Sequence, residues 1–257
     1  MQINSIDTMT KNSQTSFSST PEKQTETWLF WYDIPHEPAL NMALDEALLF
    51  ETNTTISQQP VVRFYDWDRP AVSIGYIQKY SSAEKYGFTI VRRPTGGGVV
   101  LHDCDFTYSV AIPSNHWLAD VDRISSYGYI NNAIVYGLKN LNLETELGNS
   151  RIEAGLDRQS MVCFENPTKY DILLNNRKIA GSAQRRLREG ILHQGSIHFG
   201  RKLPFSHAEL AENMTAGFIS ALNIEAQKLK PSDRLLESAE QIADSKYRLD
   251  EWNRKRP

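Results

Sequence analysis

The chain has 257 residues, 40% of them hydrophobic, and a formal net charge of −3. That length suits one large domain with a sizeable core, and the weak negative charge excludes a protein that lives on bulk nucleic acid or an anionic membrane. Only two cysteines occur, Cys104 and Cys163, without CxxC or Cys/His spacing, so neither a disulfide scaffold nor a zinc site is expected. No apolar run approaches the ~20 residues of a membrane span. The first residues lack the apolar centre of a signal peptide and the arginines of a transit peptide, so a cytoplasmic location is expected.

Residues 1–26 are rich in Ser, Thr, Gln and Asn and read as a disordered tail; residues 27–257 read as a single domain. Trp28 to Asp33 is a strand-like aromatic run. Asn41 to Leu49 follows with the apolar stripe of a helix. Val61–Tyr65 and Ala71–Gly75 look like strands around a turn at Asp66–Pro70. Thr89–Arg93, Val99–His102 and Thr107–Ile112 are the next strands, and Ile124 to Leu141 has helical spacing. Asp171–Leu174 and Lys178–Gln184 flank Asn175-Asn176-Arg177, a hairpin signal. Ile191–Phe199 is a further strand, in which His193 and His198 are read as able to share a face, without a catalytic role. From Ser206 onward the chain reads as helices, the last running towards Trp252. Strands and helices do not alternate regularly, so the expected class is α+β, a mixed β-sheet with flanking helices.

One segment stands out: Arg92-Arg93-Pro94-Thr95-Gly96-Gly97-Gly98-Val99-Val100-Leu101-His102-Asp103. Three consecutive glycines weaken a strand, so something needs the backbone close by. A phosphate cradle is one reading, because bare N–H groups and arginines suit an anion. Yet neither GxxxxGK[ST] nor GxGxxG opening a helix is present, and a tight bend between strands explains the run equally well. Arg92 and Arg93 are adjacent on a strand and point to opposite faces, so at most one faces a site.

The segment resembles the signature of the lipoate-protein ligase and octanoyltransferase superfamily. Asn41 to Leu49 resembles the family's early helix, and Arg177-Lys178-Ile179-Ala180-Gly181-Ser182-Ala183-Gln184-Arg185-Arg186 its lysine motif. Gln194-Gly195-Ser196-Ile197 and the stretch from Lys246-Tyr247 to Glu251-Trp252-Asn253 are similar to its following strand and its C-terminal ending. The likeness spans roughly residues 28–253. It implies a biotin/lipoate protein ligase-like catalytic domain with an acyl pocket. The substrate-binding residues would be Arg92, Arg93, Thr95, Gly96, Gly97, Gly98, His102, Asp103, Gly181, Ser182 and Ala183, and Lys178 would point at the acyl carbonyl.

Cys163 separates two chemistries. Alone it reads as a small buried hydrophobe. But Ser160-Met161-Val162-Cys163-Phe164-Glu165-Asn166-Pro167 resembles the cysteine loop of the cysteine–lysine octanoyltransferase class, as does the segment His102 to Ser109. The resemblance implies transfer of octanoyl from acyl carrier protein to a lysine of a lipoyl domain, such as the glycine cleavage H protein, through a Cys163 thioester. A Lys178 ammonium would lower the thiol pKa. No cofactor and no metal would be needed, and neither nucleic acid nor membrane would be a partner. An ATP-dependent lipoate ligase, an amidotransferase between lipoyl domains, and a non-catalytic acyl- or lipoyl-domain-binding protein are the alternatives. Cys104 lies between Asp103 and Asp105, whose charge would raise its pKa. No Ser-His-Asp triad can be argued from the sequence.

Overall fold

The computed structural model describes residues 25–53, 58–148, 170–200 and 202–254. Cys163 therefore lies outside the described residues, as does most of the expected tail. Glu26, which the sequence reading puts in the tail, accepts hydrogen bonds from Trp28 Nε1 at 3.2 Å and Trp117 Nε1 at 3.1 Å.

The strands are β1 (Thr27–Tyr32), β2 (Val61–Tyr65), β3 (Ala71–Ile74), β4 (Thr89–Arg92), β5 (Val100–His102), β6 (Asp105–Pro113), β7 (Thr145–Leu147), β8 (Ile172–Leu174), β9 (Arg177–Leu187), β10 (Gly190–His198) and β11 (Glu225–Lys228). The helices are α1 (Pro38–Glu51), α2 (Ser81–Glu84), α3 (Trp117–Asp120), α4 (Arg123–Asn140), α5 (His207–Leu222), α6 (Asp233–Ile242) and α7 (Asp250–Arg254), with a π-helical turn at Ala243–Tyr247 between the last two. Eight strands form one mixed sheet in the order β11-β1-β2-β6-β10-β9-β8-β7, and β4-β3-β5 form a small second sheet.

The central strands of the large sheet are buried on both faces, which is why they read as near-continuous apolar runs. Alternate residues serve two cores. Trp28, Phe30, Val62, Phe64, Val110 and Ile112 pack with α4 and α5, around Ile134, Leu138, Met214 and Phe218. Leu29, Trp31, Val61 and Tyr65 face α1 and α6, around Leu44, Leu48, Leu235 and Ala239. Local signals set the helix ends. Asp122 caps α4 by accepting from the amides of Ile124 and Ser125, and Ser206 accepts from the amide of Glu209 to start α5. The β8–β9 hairpin turns at Asn175 and Asn176, with φ of 50° and 61°, as a two-residue turn of that hand requires.

Two strands and two short helices escaped the sequence reading. β11 lies in the stretch read as helical; all four of its residues are exposed, so no hydrophobic alternation marks it, and only parallel pairing with β1 makes it a strand. β7, α2 and α3 are too short for a periodic signal. His193 and His198 do not share a face, because an odd separation on a strand reverses direction. His193 is fully buried beside Tyr108 and Tyr127, while His198 lies near Asp103.

Candidate active site

The glycine segment is the link from β4 to β5; its flanking residues Arg93 and Val100 line a cleft between the two sheets, whereas Thr95, Gly96, Gly97 and Gly98 are not among the lining residues. Its bend is tight: a side chain on Gly75 would strike the Gly97 carbonyl at 2.1 Å, and Gly97 itself has φ of 86°. These positions need glycine for close backbone approach and for a left-handed backbone, respectively. Arg93 holds the bend from within. Its guanidinium donates to the carbonyls of Gly96 and Gly98, each at 2.6 Å, and to Ser73 O at 3.0 Å. The run is thus occupied by an internal cation, an arrangement that differs from a phosphate cradle.

The cleft measures about 380 Å³ including its open mouth. Met42, Trp67, Val100 and Ala183 give it apolar walls, and Ser73, Arg93, His102, Gln194 and Ser196 supply polar groups. A mostly apolar cavity with a few convergent polar groups suits a small acyl ligand. Of the expected binding residues, Arg93, His102, Gly181, Ser182 and Ala183 line it. Gly97 abuts Ala183, and Thr95 Oγ1 donates to Gln194 Oε1 at 2.7 Å.

Arg92 and Asp103 are not brought to the cleft. Arg92 turns the other way and donates to the carbonyls of Gly75, Tyr76, Gln78, Trp252 and Asn253, tying the C-terminal helix to the small sheet. Opposite directions for adjacent strand residues explain the split. Asp103 is exposed. The carboxylate that serves His102 is instead Asp105, whose Oδ2 lies 2.7 Å from His102 Nδ1. Burial pushes the Asp105 carboxyl up, but His102 and the hydroxyls of Ser196 and Thr107 outweigh it and hold it below its ordinary value. Cys104 is raised by burial and by Asp103 and Asp105.

Lys178 is buried and its Nζ lies 2.8 Å from Asp171 Oδ2. The sequence reading missed Asp171, although it directly precedes β8 in the same hairpin. In a regular strand Lys178 and Gly181 would face opposite sides. Ile172 pairs with Ala180 but Leu173 with Lys178, so β9 carries one extra residue here, a bulge that resets the alternation. As a result Lys178 Nζ sits 2.8 Å from where a Gly181 side chain would begin, and Gly181 lines the cleft. A carboxylate beside the ammonium compensates the cost of burying it.

A buried polar network supports the cleft from below. Arg63 Nη1 donates to Asp45 Oδ1 at 2.8 Å, and Arg63 Nε to Asp33 Oδ2 at 2.8 Å. Asp45 also accepts from Ser109, Tyr65 and Gln194. Gln194 in turn receives Thr95, so the glycine segment is tied to α1 through one glutamine. Among the described residues no cluster of His, Cys, Asp and Glu could hold a metal ion, and no helix is long and apolar enough to cross a membrane.

Residues 37–232 match the lipoyl protein ligase A/B catalytic domain. Octanoyltransferase LipM of Bacillus subtilis is 33% identical over 91% of this chain and 100% of its own length. LipM of Anoxybacillus flavithermus is 34% identical over 90% of this chain and 99% of its own. Among solved structures, a T. acidophilum protein assigned as a lipoate protein ligase, with bound lipoic acid, superposes with a TM-score of 0.72. It is 25% identical and covers 90% of this chain and 98% of its own. The α+β fold is that of this group, and the chain belongs to the lipoyl protein ligase A/B catalytic domain family.

Proposed function

We propose that the chain transfers an octanoyl group from acyl carrier protein to a specific lysine of a lipoyl domain, through a thioester on Cys163. Octanoyl transfer in protein lipoylation is what relatives at a third identity, matched along nearly their whole length, support. The observation that carries the chemistry is the buried Lys178 ammonium beside Gly181 on the wall of an apolar-walled cleft. A fixed positive charge there stabilises the oxyanion that develops on an acyl carbonyl.

In the first half-reaction the Cys163 thiolate attacks the donor thioester, a new C–S bond forms as the donor's C–S bond breaks, and the carrier thiolate leaves with the proton of the Lys178 ammonium, which becomes a neutral amine. In the second, the acceptor amine attacks, the Cys163 C–S bond breaks, and the amine's proton passes to Lys178 in its unprotonated form and onward to the departing thiolate. Thioester exchange conserves the activation of the acyl group, so no ATP is spent. The glycine cleavage H protein is the acceptor to try first, and cytoplasm is the expected location. Incubation with octanoyl-carrier protein in the absence of acceptor should leave one octanoyl adduct, mapped by peptide mass to Cys163. Full activity in Cys163→Ser, or activity that requires ATP, would overturn the proposal.

A further inference from the structure

The cleft holds a second acyl-reactive constellation that the transfer mechanism does not use. Ser73 Oγ lies 2.8 Å from His102 Nε2, and His102 Nδ1 lies 2.7 Å from Asp105 Oδ2. The three residues sit on β3, β5 and β6. Ala71 pairs with His102 and Ser73 with Val100, so Ser73 and His102 are diagonal neighbours on one face of the small sheet. All three are buried, and Ser73 and His102 line the cleft.

Asp105 is held ionised and accepts from Nδ1 of His102. In the neutral imidazole Nε2 is then the acceptor that faces the Ser73 hydroxyl. Arg93 Nη1 donates to Ser73 Oγ at 3.1 Å, a positive charge that favours alkoxide character on that oxygen. Trp67 stacks on the imidazole with ring centres 4.0 Å apart, and Thr107 and Ser196 fix the carboxylate by donating to the same Oδ2. Imidazole, orienting carboxylate and hydroxyl therefore stand in the order that activates a serine nucleophile.

We propose that Ser73, His102 and Asp105 give this enzyme a hydrolytic activity toward medium-chain acyl esters and thioesters bound in the cleft. That the ligand is an acyl chain rests on the proposed function; the nucleophile is independent of Cys163. Ser73 Oγ attacks the carbonyl carbon, its proton passes to His102 Nε2, and the leaving thiol or alcohol departs with that proton. Water then attacks the seryl ester, giving one proton to His102. The ester C–O bond breaks, Ser73 recovers the proton, and a free fatty acid is released. Such an activity would discharge an acyl donor when no acceptor domain is docked.

The test uses the full chain in a Cys163→Ala background, with p-nitrophenyl octanoate as substrate and a fluorophosphonate as covalent probe. Hydrolysis above the uncatalysed rate is expected, with a fall of at least about 10²-fold on adding His102→Gln or Ser73→Ala. The probe should attach to the unaltered chain at Ser73, located by peptide mass, which needs no variant to fold. Hydrolysis unaffected by His102→Gln, or no probe on Ser73, would overturn the proposal. Because the octanoyl adduct on Cys163 is read separately, failure of the transfer mechanism and failure of this centre give different results.

Discussion

Gly181→Ala tests whether Lys178 works where the structure places it. The new methyl carbon would stand 2.7 Å from Lys178 Cε and 2.8 Å from Nζ, and 3.3 Å from Asp171 Oδ1. Carbon contacts settle at about 3.5–4.0 Å, so the ammonium has to retreat by roughly 1 Å. The atoms in the way are the far end of a flexible side chain, so the fold can yield at little cost. The loss of stability is expected at the low end of overpacking, about 1 kcal/mol. The loss of activity is expected to be large, because a displacement of about 1 Å in a reacting constellation costs about 10²-fold. Gly195→Ala is the contrast: its methyl would meet the buried Tyr108 ring at 2.2 Å, and a ring cannot step aside, so about 3 kcal/mol of stability is expected to go. Octanoyl transfer to a lipoyl domain, followed by intact mass, gives kcat/KM, and circular dichroism gives Tm. Gly181→Ala with unchanged kcat/KM and an intact fold would remove Lys178 from the mechanism.

Arg92→Met should act on stability. It strips donors from five carbonyls, and the expected cost is about 3 kcal/mol, or a fall in Tm of about 6–12 °C, with early proteolytic release of the C-terminal helix. Unchanged Tm would show that those carbonyls find other partners. His193 should make the protein acid-sensitive. Burial depresses its imidazole from 6.5 to about 3, and among the described residues neither ring nitrogen has a hydrogen-bond partner. Below pH 6.5 the unfolded chain takes up a proton that the folded chain refuses until about pH 3, so stability falls as pH falls through that window. At pH 5 the loss is about 2 kcal/mol, and His193→Leu should flatten the urea-unfolding free energy between pH 7.5 and 5. A variant that keeps the wild-type slope would assign the acid sensitivity elsewhere.

The elements legible in the sequence were those with a periodic or local signature. β2 was placed to the residue, β1 and β10 to within a residue or so at each end, and α1 and α4 by their apolar stripes. The Asn-Asn turn announced the β8–β9 hairpin. β11 was illegible because an exposed edge strand carries no pattern; its backbone pairs with β1, from which it is remote in sequence.

The sequence by itself determined the family, through ordered motifs, and singled out Arg93, His102, Gly181, Ser182 and Ala183, which the structure places on the cleft wall. It also determined that only one of two adjacent arginines could face the site, since strand alternation is local geometry. Which one did so was a tertiary matter: Arg93 holds the glycine bend and Arg92 holds the C-terminal helix. The carboxylate partners were tertiary too. His102 passes over its neighbour Asp103 for Asp105, and Lys178 finds Asp171 across a hairpin. The bulge in β9 cannot be read from residue spacing, yet it alone brings Lys178 to Gly181's side of the strand. Chain order can specify which groups a site contains. The directions in which they point depend on register and pairing, which exist only once distant strands have met.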